Sequence, residues 1–204
     1  MADCIWHCNI TGDTRDHTRM DSWEADDPER YERNIETMRA FKRGEPISPA
    51  DLPERVYSPT KTKPGKPWRE VTIFGFWMFS ECYIAPFRDF DLGAGGVHPI
   101  EAYEPDREIR IPGDYSLLTP GSKKDAFLPE QSRKFRKIPG PVPYTRKFAR
   151  DDDLAFSAAA LEGPDVWSDV SLVDCFFFSD RLAQRLKREK IATKFRLIRC
   201  RIER

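Results

Sequence analysis

Two short stretches set side chains able to handle protons and anions next to one another: Ser80-Glu81 and Ser179-Asp180-Arg181. An acid beside a hydroxyl, with a guanidinium behind it, could supply the acid–base and anion-binding parts of an enzyme site. His98 could join Glu81, Asp180 and Arg181 in such an acidic cleft. The same residues have a second reading. Each Ser closes an apolar run and opens a helical one, so its hydroxyl can accept from an orphan helix amide while the acid sits in the positive first turn. Cys4, His7, Cys8 and His17 lie close enough to ligate zinc, but Cys-x3-Cys with an internal His lacks the usual second knuckle. The stretch Cys4 to Ile10 reads equally as an edge strand, so no metal is assigned. Asp91 to Gly96, DLGAGG, has the glycines of a phosphate loop but follows a helix and precedes a strand. That is the reverse of the order that aims helix amides at a phosphate, and it reads as a helix cap and turn. No P-loop, Gly-x-Ser-x-Gly or His-Glu-x-x-His occurs. Cys82 and Cys175 sit among aromatics as small core residues, and no cofactor is implied.

The elements that must position these residues follow from the pattern. Leu172 to Phe178 has Val and three Phe without Gly or Pro, which predicts a short strand buried on both faces. Beyond it Leu182, Ala183 and Leu186 form one stripe against Arg181, Gln184, Arg185, Lys187 and Arg188, an amphipathic helix capped by Ser179. The stretch from Thr193 then reads as a strand with a bulge or two-sided burial. Thr72 to Glu104 repeats the sequence of strand, Ser-acid and helix: at a constant offset Ser80 lies over Ser179, Ile84 over Ala183, Phe87 over Leu186 and Leu92 over Ile191. Pro86 should shorten or kink the first helix. The reading is an α+β fold, a single domain with a mixed or antiparallel sheet and two pseudo-repeated strand-helix-strand units.

The remainder divides at residue 70. Asp27 as N-cap, Pro28 and the stop Gly44 frame a helix over 28–43 with Tyr31, Ile35, Met38 and Phe41 or Lys42 as its stripe. Residues 44–69 hold six Pro and read as an extended connection, making 1–70 an annex to the domain 71–204. Val71 to Leu118 supplies three strands and the first helix. Residues 123–153 read as a surface loop whose 133–150 part mixes Arg133, Lys134, Arg136, Lys137, Arg146, Lys147 and Arg150 with Phe135, Tyr144 and Phe148. Such a mixture can track phosphates and stack bases, as a nucleic-acid-binding adaptor would, or steer an acidic protein. The bland reading is a solvated loop neutralised by Asp151, Asp152 and Asp153.

Charge argues against nucleic acid as the partner. Lys plus Arg and Asp plus Glu each number 34, so the chain has no net positive field. No apolar run reaches the roughly 18 residues of a membrane helix, and the first ten residues lack a signal-peptide pattern. Five scattered Cys fit a reducing compartment, and the expectation is a cytoplasmic protein with no membrane partner.

Residues 71–204 resemble a bacterial immunity-protein family of polymorphic toxin systems, the eleventh such family catalogued and formerly a domain of unknown function. The resemblance lies in an apolar strand leading to Ser-[Asp/Glu]-Arg and a short helix, with Asp-x-Trp before the last copy. Asp165, Trp167, Ser179, Asp180, Arg181, Leu182 and Phe195 match; Ser80 and Glu81 match the earlier copy, where Cys82 replaces the Arg. The resemblance implies stoichiometric binding of a cognate toxin protein and no catalysis. Glu81, Trp167, Asp180 and Arg181 become the candidate partner-binding residues.

Overall fold

The computed structural model describes residues 4–12, 20, 28–63, 65–140, 142–146 and 149–203. The expected Asp27 cap, and His17, Lys147 and Phe148, lie outside them. Among the described residues the α+β class is realised with thirteen strands and four α-helices. They build two main sheets and a small ribbon rather than one sheet.

The first sheet has five strands: β2 (Arg55–Tyr57), β3 (Val71–Ile73), β4 (Trp77–Ser80), β5 (Gly96–Tyr103) and β6 (Tyr115–Thr119), in the order β2-β5-β6-β4-β3. The second has six: β1 (Ile5–Cys8), β7 (Lys123–Lys124), β10 (Ala155–Ser157), β11 (Val166–Asp169), β12 (Phe176–Ser179) and β13 (Ile198–Glu203), ordered β10-β13-β1-β12-β11-β7. Strand directions agree between the two. The outer strand runs parallel to its neighbour, β2 with β5 and β10 with β13, and three antiparallel pairings follow. In each sheet a strand-helix-strand unit straddles a middle strand. One unit runs β4, α2 (Glu81–Ile84), β5; the other runs β12, α3 (Asp180–Arg188), α4 (Ala192–Phe195), β13. The middle strand is β6 in the first sheet, directly after β5, but β1 in the second, which precedes every other strand in the chain.

Residue 70 is therefore no structural boundary. Residues before it supply β1 to the centre of one sheet and β2 to the edge of the other. They also supply helix α1 (Pro28–Lys42), whose Phe41 packs edge-on against Phe76 and Trp77 and tilted against Phe176. Because Phe41 is the anchor, the helix buries Thr37 and Asn34, one and two turns back, and leaves Tyr31 half exposed. Gly44 ends the region as expected: its N–H donates to Phe41 O at 2.8 Å and Glu45 N–H to Ala40 O at 3.0 Å. Its φ is 68°, and a Cβ there would meet Ser168 Oγ at 1.8 Å.

Strand β12 explains the run of aromatics. Phe176 and Phe178 point into the core between the sheets, with Trp77 4.7 Å from Phe176 and Phe87 5.6 Å from Phe178. Phe177 points the other way, into a second core with Phe156 and Trp167. A strand covered on both faces has no polar alternation. It starts at Phe176, later than expected, because Leu172 to Cys175 form a turn that buries Leu172 and Cys175 and in which Asp174 takes φ 53°. The last strand also starts late. Ala192 to Phe195 coil instead into α4, which buries Phe195 against Phe79, Phe87 and Phe178, and Arg196 at φ 48° reverses the chain into β13. Four strands, not three, occupy 71–119, since a turn at Gly75 divides the first. Pro86 limits α2 to one turn, continued as a 3-10 turn over Ala85–Asp89.

Residues 123–153 are more than a loop. They contribute β7 to the second sheet and fold a ribbon from β8 (Phe135–Lys137) and β9 (Tyr144–Arg146).

Candidate functional site

Asp165 is the buried partner of the Ser179-Asp180-Arg181 segment. Its Oδ1 accepts from Ser179 Oγ at 2.5 Å and Arg181 Nε at 2.7 Å, and its Oδ2 from Arg181 Nη2 at 2.5 Å and the Asp91 N–H at 3.0 Å. Burial works to raise this carboxyl's pKa, but the hydrogen bonds from Arg181, Ser179 and Asp91 outweigh it and hold it below the ordinary aspartate value. Ser179 Oγ also accepts from the Leu182 N–H at 3.2 Å, the expected cap of α3. Ser80 occupies the matching place before α2 but makes no side-chain cap bond; its hydroxyl lies 3.3 Å from Cys82 Sγ. Here the missing arginine tells: Cys82 stands where Arg181 stands in the other unit.

Arg181 thus has a fixed fork and an exposed body. Its side chain is 68% exposed while that of Asp165 is 2%. The guanidinium also lies over the Phe90 ring at 5.5 Å.

Glu81 and Asp180 occupy corresponding corners of the two sheets. Ser80 pairs with Tyr115 and Tyr115 with Ile100, just as Ser179 pairs with Ile5 and Ile5 with Cys200. Beside each corner lies an open depression. One, of about 540 Å³, is lined by Glu81, Arg88, Glu54, Arg55, Glu101, Arg110 and Asp114, with Tyr115 and Ile100 beneath. The other, of about 600 Å³, is lined by Asp180, Cys4, Trp6, Gln184, Asp152, Arg199, Arg201 and Glu203. Both alternate acids with guanidiniums. In the first, Arg88 forks onto Glu81, with Nη2 to Oε2 at 2.9 Å. In the second, Asp180 Oδ1 accepts from Trp6 Nε1 at 2.8 Å, Gln184 Nε2 at 3.1 Å and Cys4 Sγ at 3.3 Å. Burial pushes the Asp180 carboxyl up, yet those donors hold it below its ordinary value; burial and Asp180 together push the Cys4 thiol up to about 11. A thiol so raised is a poor nucleophile at neutral pH.

The structure does not assemble the acidic cleft that the sequence offered. Glu81 and Asp180 line separate depressions with no residue in common, and His98 lines neither. His98 Nε2 instead meets Thr119 Oγ1 at 3.0 Å, and burial lowers its pKa. Trp167 does not reach the surface and so cannot contact a partner as expected. It is fully buried, stacked on Phe177 with centroids 4.7 Å apart, and capped by the Lys124 ammonium 4.5 Å from its ring. On β1, Cys8 Sγ donates to Phe195 O and His7 is buried against Phe177, while Cys4, just before the strand, donates to Asp180. No group of three metal-binding side chains occurs among the described residues.

No protein-family model matches the chain, and no curated protein matches it.

Three contributors carry no signal in the sequence. Arg88, seven residues after Glu81, carried no periodic signal, since the 3-10 turn at Pro86 changes the spacing that a helix would give. Trp6 and Cys4 reach Asp180 only because β1 inserts beside β12, a pairing between opposite ends of the sequence. Among the described residues, no helix is long and apolar enough to cross a membrane.

Proposed function

We infer that this protein is an immunity protein, which binds a cognate toxin made by the same cell and neutralises it by stoichiometric contact in the cytoplasm. The reading is supported by the resemblance of residues 71–204 and by one observation above all: matched corners of two like sheets present open, charged depressions headed by Glu81 and Asp180. Open relief of alternating acids and guanidiniums suits the polar surface of another protein better than a small molecule, which calls for enclosure and apolar walls. A standard interface needs about 800 Å² from each partner, more than either depression offers, so the contact extends onto neighbouring side chains such as Arg181. In this reading Asp165 is a positioning residue, since it fixes Arg181 without reaching the surface.

Co-expression with the product of the adjacent upstream gene tests the proposal. The wild-type protein is expected to restore growth, and Glu81→Lys and Asp180→Asn to weaken the rescue while circular dichroism stays unchanged. Absence of rescue by the wild type contradicts the function; full rescue by the combined variant contradicts the assignment of the surface.

A further inference from the structure

The ribbon of β8 and β9 has no part in those corners, yet β8 and the two residues before it carry four cations in five positions. Arg133, Lys134, Arg136 and Lys137 are all exposed. Among the described residues, none of these four side chains has an ion-pair partner. The acids that follow in sequence do not neutralise them. The Asp152 carboxylate pairs with Arg199, Asp151 Oδ1 accepts the Arg199 N–H at 2.8 Å, and Asp153 Oδ2 accepts the Arg150 N–H at 2.8 Å. Asp151 and Asp152 thus hold the chain to Arg199 at β13 while Asp153 closes its own turn, and none of the three forms an ion pair with the ribbon.

The ribbon is also held firmly. Phe135 and Tyr144 pack edge-on with centroids 5.2 Å apart, and both lie against Phe127, at 5.4 and 5.9 Å. Tyr144 N–H donates to Ser171 O, and Val173 N–H donates back to Tyr144 O, each at 3.0 Å. A cationic surface on a fixed support loses little freedom on binding.

The packing distinguishes between anionic partners. Both described rings of the ribbon pack against Phe127 and are only partly exposed, which leaves less open ring face for stacking bases, the contribution that makes single-stranded nucleic acid bind well. The four cations lie within five consecutive residues, with Lys134 in a turn at φ 56°, which is a compact cluster and not a track along a phosphate backbone. We propose that the β8–β9 ribbon is a docking surface for an acidic protein segment, a contiguous run of Asp and Glu, held through Arg133, Lys134, Arg136 and Lys137. This surface is independent of the corners at Glu81 and Asp180 and of the toxin reading.

Fluorescence anisotropy of a labelled oligo-glutamate peptide, with an oligothymidine of matched charge as the second probe, tests it on the full chain. The peptide is expected to bind saturably, more tightly than the oligonucleotide, and less tightly as salt rises. The double reversal Arg136→Glu/Lys137→Glu should weaken it by about tenfold or more, from the lost attraction and added repulsion of exposed charges. The milder Arg133→Ala/Lys134→Ala variant should weaken it by a smaller factor with an unchanged thermal transition. Absence of saturable peptide binding, tighter binding of the oligonucleotide, or peptide affinity indifferent to both variants would overturn the proposal.

Discussion

Asp165 shows how one buried carboxylate can serve two elements at once, since it fixes the Ser179 cap and the Arg181 fork while taking the Asp91 amide. Asp165→Ala leaves those donors without their acceptor and is expected to cost about 3 kcal/mol, the lower end for breaking a buried charged pair because Arg181 is solvated. Arg181→Ala should cost only about 1 kcal/mol, because Asp165 keeps the Ser179 and Asp91 donors. Urea unfolding midpoints of the two variants check the order. The pH dependence has a definite sign. The Asp165 carboxyl titrates lower in the folded protein than its ordinary value of 3.8, so its stabilisation is fully present above that value and is lost as pH falls through the folded pKa. The stability gap between wild type and Asp165→Asn should therefore hold from pH 7 down to about 4 and narrow below it. Asp169 acts in the opposite sense: burial raises its pKa, despite bonds from the amides of Ala126, Phe127 and Ser171. Protonation of Asp169 on acidification favours the folded state, so Asp165→Asn, not Asp169→Asn, is the variant that flattens the acid loss.

At the scale of elements, the two Ser-acid starts look alike in sequence and differ in what their hydroxyls do. Ser179→Ala removes a cap bond and a bond to Asp165 and should destabilise by about 1–2 kcal/mol. Ser80→Ala removes no cap bond and should stay within about 0.5 kcal/mol, a contrast that thermal denaturation of both variants resolves. The sequence made the strand-to-helix transitions legible because they are local: an aromatic run, a capping residue and a change of period all fall within a dozen residues. It also placed Glu81, Asp180 and Arg181 at such transitions, where they are found. It could not place them relative to one another, because β1 and the residue before it bring in Trp6 and Cys4 through a pairing invisible to any local pattern. The same limit hid the role of residues before 71. A four-residue strand flanking no repeat looks like an annex until its neighbours β12 and β13 are known. Trp167 was ambiguous for a different reason, since Trp anchors cores and interfaces alike, and only the Phe177 stack and Lys124 decide for the core.

On the scale of the whole molecule, Phe176 and Phe178 tie the sheets together from one strand, and the two charged corners are carried on a common core. That continuity gives a bound partner a rigid surface, which suits inhibition by occupancy without a moving part. The most direct measurement is a titration of the adjacent gene product's toxic activity against increasing amounts of this protein, read with the mass of the species on a sizing column. Stoichiometric neutralisation predicts activity falling linearly to zero at one equivalent, with a 1:1 complex at the end point. Protection by far less than one equivalent, or activity that persists in excess, would contradict it.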